Sequence, residues 1–130
     1  MQDSIFTKII KGEIPCHKIY EDDKTIAFLD INPFATGQVL VVSKKQIEAV
    51  WDLPDEDYQA LWSTAKKVGL RLREVFPDKA RVGVQVEGLD VPHVHVKVFP
   101  FDSGSEFHAR SLDGEPDHEA LAKLAEKIRF

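Results

Sequence analysis

Apolar residues recur along this chain in three rhythms, and each rhythm predicts a kind of element. Ile5 and Ile9, and Phe6 and Ile10, stand four apart. That spacing puts each pair on one face of a short helix, capped by Ser4 or Asp3 and ended by Gly12. Tyr58, Leu61, Trp62, Ala65, Val68, Leu72, Val75 and Phe76 keep the same period over a much longer stretch. Pro54 suits the first turn of that helix, Asp55, Glu56 and Asp57 complement the positive end of its dipole, and Pro77-Asp78 stops it. A last helix carries Leu121, Leu124, Ala125 and Ile128 on one side. Alternation marks two strands: Val82, Val84 and Val86, then Val94, Val96 and Val98. Lys18-Ile19-Tyr20 and Thr25–Leu29 flank the acidic turn Glu21-Asp22-Asp23 and predict a hairpin. Val39-Leu40-Val41-Val42 is a continuous apolar run, as in a strand buried on both faces. The stretch 101–116, rich in Gly, Ser, Asp and Pro, is expected to be a loop. Together these elements predict one α+β domain over residues 1–130, with a mostly antiparallel sheet of about five strands.

Composition narrows the partners. Hydrophobic residues make up 43% of the 130 positions and charged residues 30%, the balance of a globular rather than a disordered chain. The net charge of −5 opposes nucleic acid, so an anionic ligand must be held by a local constellation. Cys16 is the only cysteine, which excludes an internal disulfide and suits a reducing compartment. Met1-Gln2-Asp3-Ser4 does not read as a signal peptide, and no apolar run approaches ~20 residues. No membrane partner is expected, and the expected location is cytoplasmic.

Candidate chemistry centres on His93 and His95, which the alternation puts on one face of a strand, about 6.5–7 Å apart. Imidazole is a competent nucleophile at neutral pH, and the valine face opposite would hold the strand rigid. Taken alone, the pair carries three readings: a reactive centre, the solvated face of an amphipathic strand, or two ligands of a metal site. His17, His108 and His118 are scattered singly and read as surface residues, which gives the metal reading little help.

Four ordered segments add a resemblance. Ile5–Pro15 with Ile19-Tyr20-Glu21-Asp22, then Ala27–Pro33, then Gly37–Lys45, then Val91-Pro92-His93-Val94-His95-Val96 resemble successive motifs of the histidine triad family. The resemblance implies that family's fold, a homodimer formed across the long helix and a strand, and nucleotide or nucleoside phosphate conjugates as ligands. It implies no cofactor. The middle histidine, His95, would attack the α-phosphorus to form a nucleotidyl-histidine that water then hydrolyses, with His93 in the first triad position. Asp30 would accept hydrogen bonds from the ribose hydroxyls, although it also reads as a turn-capping residue before Asn32-Pro33. Ile5, Phe6, Ile9, Phe28 and Ile31 would line the base pocket, or serve as ordinary core. Gly88 completes the implied nucleotide-binding set.

Three departures bear on activity. The third triad position is Lys97, which would act on the substrate phosphate as a cation. Asp90, with Glu87, stands where a carboxylate repels phosphate unless paired, with Lys97 or Lys44-Lys45 as candidate partners. In relatives that carry a structural zinc, the ligand positions correspond here to Ser4, Thr7 and Gln46, so no metal is expected. The implied function is a nucleotidyl hydrolase or transferase. The alternative is a nucleotide-binding dimeric interaction protein that has lost turnover.

Overall fold

The structure is a computed structural model that describes residues 2–107 and 115–130. Helix α1 spans Ile5–Ile10 and is followed by strands β1 (Lys18–Glu21), β2 (Thr25–Leu29) and β3 (Val39–Ser43). A 3-10 turn at Val50–Asp52 leads into α2 (Asp55–Val75), then β4 (Arg81–Gln85) and β5 (His95–Phe101). Two helices close the chain, α3 (Gly104–Phe107) and α4 (His118–Ile128). The strands form one antiparallel sheet in the order β1-β2-β3-β5-β4, so β3 lies at its centre, between β2 and β5.

The sheet is covered on both faces, which explains why β2 and β3 are buried along their whole length. On one face Ala27, Leu29, Val39, Val41, Val96 and Val98 pack against Leu61, Ala65, Val68 and Leu72 of α2, with Ala125 and Ile128 of α4. On the other, Ile26, Phe28, Leu40 and Val42 form a smaller cluster under Phe6 of α1. Loss of a fully buried residue such as Leu61 costs about 2–5 kcal/mol in cores of this kind.

The predicted elements fall where the rhythms put them, with three differences. Strand β5 runs on through Phe99-Pro100-Phe101, because Phe99 is buried against Phe34 and Phe107 while Phe101 pairs with Arg81. The expected loop holds the short helix α3, whose Phe107 packs on Phe99 and Phe101. Residues 108–114 of that loop, with His108, lie outside the described residues. Strand β5 also begins only at His95, leaving His93 and Val94 just before it, while Trp62 and Phe76 of the long-helix stripe are half-buried against the main core. Gly37 has a left-handed φ of +89° and sits under Phe76, whose ring lies 2.8 Å from where a Cβ would be. Among the described residues no helix is long and apolar enough to cross a membrane.

Candidate active site

His95 opens β5 and pairs with Val42 of β3, so its side chain joins the α1 face of the sheet. The reading of this face as solvated fails: His95 is 5% exposed and His93 is fully buried. Phe6 makes the difference, standing edge-on to His95 at 4.9 Å and to His93 at 5.8 Å between ring centroids. His93 lies just before the strand. Its backbone carbonyl accepts the hydrogen bond of His95 Nδ1 at 2.8 Å. A carbonyl can only accept, so Nδ1 carries the proton and Nε2 keeps its lone pair. Burial, and then the charge of Lys97, hold His95 below the usual histidine pKa despite the favourable bond to His93. The ring is neutral at pH 7.

The His95 ring lines a cavity of about 320 Å³. Ile5, Phe6 and Ile9 of α1 form one wall, Phe28, Ile31 and Leu40 another, and Asp30, Glu87, Asp90 and Lys97 supply the charges. Eight of the ten residues expected to bind or react therefore meet in one pocket: His95, Lys97, Asp30, Ile5, Phe6, Ile9, Phe28 and Ile31. Two do not line it. His93 lies behind His95, and Gly88 turns with φ +71° so that a Cβ there would face the Glu48 carbonyl at 3.4 Å. Lys44 and Lys45 do not answer Asp90, since they pair with Glu21 at 2.9 Å and Asp57 at 3.0 Å.

Asp30 makes the turn-capping bond that its place before Asn32-Pro33 predicts. Its Oδ1 accepts from the Asn32 N–H at 2.9 Å, the turn-capping bond, and its Oδ2 accepts from Gln38 Nε2 at 2.7 Å. Each oxygen keeps a lone pair for a hydroxyl donor. Gln38 is 1% exposed and was not singled out, because a lone glutamine before an apolar strand carries no periodic signal. Ile14, Pro15, Cys16, Leu40 and Val91 also line the pocket unforeseen, the first three because the chain after Gly12 folds back along it. Burial pushes the Cys16 thiol up, so it is a wall and not a nucleophile.

Behind the pocket a polar cluster joins α1 to the histidines. His93 Nε2 lies 2.6 Å from the Ser43 carbonyl and Nδ1 lies 2.6 Å from Ser4 Oγ. Thr7 Oγ1 donates to Gln46 Oε1 at 2.6 Å, and the same oxygen accepts from Ser4 N–H at 2.7 Å. Ser4, Thr7, Gln46 and His93 are thus in contact, so the three positions that correspond to zinc ligands in some relatives lie together. Their donor set does not suit the metal: one imidazole, two hydroxyls and an amide, with no thiolate or carboxylate. The reading of His93 and His95 as ligands of one ion also fails, because both His93 nitrogens and His95 Nδ1 are engaged elsewhere. Two of the three histidines expected to stand singly do not: His17 Nε2 and His118 Nδ1 lie 2.9 Å apart, joining the start of β1 to α4.

The HIT domain family model matches residues 11–104. The chain belongs to the HIT, or histidine triad, family. It is 33% identical to an adenosine 5'-monophosphoramidase of Candida albicans, over 96% of this chain and 88% of that protein. Among solved structures it is similar to a HIT-like protein involved in cell-cycle regulation from Bartonella henselae. That match has 30% identity and a TM-score of 0.85, and covers 98% of this chain and 94% of the other. A zinc-bound histidine triad family protein of Mycobacterium smegmatis is 25% identical with a TM-score of 0.77, over 95% of this chain and 91% of that one. The α+β fold of this HIT protein, a five-stranded antiparallel sheet with a long helix and a C-terminal helix, is the one these relatives have.

Proposed function

We propose that this HIT protein is a nucleotidyl hydrolase or transferase acting at the α-phosphate of nucleoside monophosphate conjugates through His95. The observation that carries the reading is the state of that ring: neutral, tied at Nδ1 to the His93 carbonyl, and set in a pocket with apolar walls and a carboxylate. The base lies between α1 and Phe28, and the ribose hydroxyls donate to Asp30. Nε2 attacks the α-phosphorus, the P–N bond forms, and the leaving group departs with the electron pair of its bond to phosphorus. The imidazole becomes cationic, and the His93 carbonyl steadies the charge at Nδ1–H. Lys97 offsets charge on the phosphate oxygens. Water then attacks phosphorus and gives up a proton to solvent, the electron pair of the P–N bond returns to Nε2, and the nucleoside monophosphate leaves with the water oxygen while His95 returns to neutral. The monophosphoramidase activity named for the Candida relative supports this reaction class.

Glu87 and Asp90 on the same wall favour a second reading, a nucleotide-binding dimeric interaction protein without turnover. Intact-protein mass spectrometry after incubation with an adenosine phosphoramidate and with a diadenosine polyphosphate separates the two. A nucleotidyl adduct absent from His95→Ala supports the enzyme; tight nucleotide binding with neither adduct nor turnover supports the second reading.

The homodimer is part of the same proposal. Leu70 of α2 and Val84 of the edge strand β4 are exposed and line one groove with Trp62 and Gly69, and Tyr58 and Val86 are exposed too. An apolar surface made by the long helix and an open sheet edge suits a second copy of the chain.

A further inference from the structure

The polar cluster behind His95 is buried and hydrogen-bonded throughout, yet the chemistry above uses only one of its atoms, the His93 carbonyl. Its proton positions can be assigned. His93 Nε2 faces the Ser43 carbonyl, which only accepts, so Nε2 carries the proton. Burial, together with His95 next door, holds His93 below the usual histidine pKa despite the Ser43 bond, so the ring is neutral and Nδ1 is an acceptor. The hydroxyl at 2.6 Å must therefore donate: Ser4 Oγ–H points at His93 Nδ1. Ser4 itself is fixed from two sides. Its oxygen accepts the Thr7 N–H at 3.0 Å as the cap of α1, and its N–H is held by Gln46 Oε1.

We infer that Ser4 is a positioning residue for His95, acting through His93, and that it fastens the nucleophile to the helix forming the base-side wall. This rests on the reading of His95 as the nucleophile. A histidine side chain in water favours the Nε2–H tautomer, in which Nε2 has no lone pair to offer. The Nδ1–H form that His95 needs is imposed by the His93 carbonyl, whose peptide is held by the Val94 N–H bond to the Ile47 carbonyl at 2.7 Å and, beside it, by the His93 ring anchored at both ends. Ser43 holds one end and Ser4 the other. Ile5, Phe6 and Ile9 follow Ser4 directly, so the same hydroxyl sets the wall and the reagent in one register.

The test separates donation from capping. Ser4→Gly leaves a residue that helix starts accept but removes the donor, so His93 Nδ1 loses its anchor. Ser4→Thr keeps both roles. Long-range ¹H–¹⁵N spectra of the histidine rings report the tautomers without reference to activity. Wild type and Ser4→Thr should show His93 as Nε2–H and His95 as Nδ1–H; Ser4→Gly should release the His93 ring and move His95 toward the Nε2–H form. On an adenosine phosphoramidate, Ser4→Gly should lower kcat roughly ten- to a hundred-fold, with KM changed far less, and Ser4→Thr should restore kcat. Unchanged ring spectra in Ser4→Gly, or a kcat equal to wild type, would overturn the inference. If wild type has no turnover, the proposed reaction fails, and the spectra still decide the role of Ser4.

Discussion

Lys97 stands in the pocket beside His95, where a histidine would complete the triad, and its charge bears on both steps of the reaction. An ammonium stabilises phosphate oxygens, but with a reference pKa of about 10.4 it is a poor general acid at neutral pH. Leaving groups that need a proton should be slow, and alkyl amines need one most. Lys97→His is therefore expected to raise phosphoramidate turnover relative to turnover of an acyl or phosphate leaving group. Steady-state rates on both substrate types check this, and a uniform change on the two would contradict it. Asp30 carries a second expectation. Asp30→Ala should weaken nucleotide binding by about 1.5–3 kcal/mol, roughly ten- to a hundred-fold, and leave inorganic phosphate binding nearly unchanged in calorimetry. Equal losses for the two ligands would make Asp30 a turn residue only. Because Gln38 holds one Asp30 oxygen, Gln38→Leu should reproduce part of that loss without touching ligand.

Among elements, the long helix and the strands were legible because periodic burial leaves a periodic sequence: the α2 stripe and the β3 run need no tertiary knowledge. The covered face of β5 was not. Alternation separates His95 and Lys97 from Val94, Val96 and Val98, but it cannot say whether the polar side meets water or another element. Phe6 covers it from 89 residues upstream, and the partners of His93 come from Ser4 and Ser43, contacts that no local pattern encodes. Eight pocket residues were readable because motif resemblance carries long-range information that periodicity lacks. Gly37 illustrates the opposite case, a turn signal with a tertiary reason. Gly37→Ala should cost about 1–3 kcal/mol, since the added methyl meets the left-handed backbone penalty and the Phe76 ring at once. Urea titration gives the number; a change under 0.5 kcal/mol would mean the end of α2 yields freely.

For the whole molecule, the buried histidines couple stability to pH. His93 and His95 are both held below the ordinary value near 6.5, chiefly by burial, and His17 shifts the same way. The unfolded chain therefore takes up protons first as pH falls. Stability is full above about pH 6.5 and declines through the window between that value and the lowered folded values. Thermal midpoints should drop between pH 7.5 and 5.5, and the drop should shrink in a His93→Gln variant; a flat profile would contradict the assignment. The acid limb of kcat/KM belongs in the same window, since only neutral His95 attacks. Assembly is tested by Leu70→Glu, which should halve the mass seen by light scattering if the α2 and β4 surface is the dimer contact. A wild-type monomer at tens of micromolar would remove the contact altogether.

Helix α1 has only six residues, too few to persist unless docked. It nonetheless supplies both the wall against the base and, through its cap, the anchor of His93. Anything that lifts it therefore erases recognition and reactivity in the same event, while the main core on the other side of the sheet loses nothing. Cutting the chain in the turn between Gly12 and Pro15 and removing α1 should leave a folded body that neither binds nucleotide nor forms the adduct.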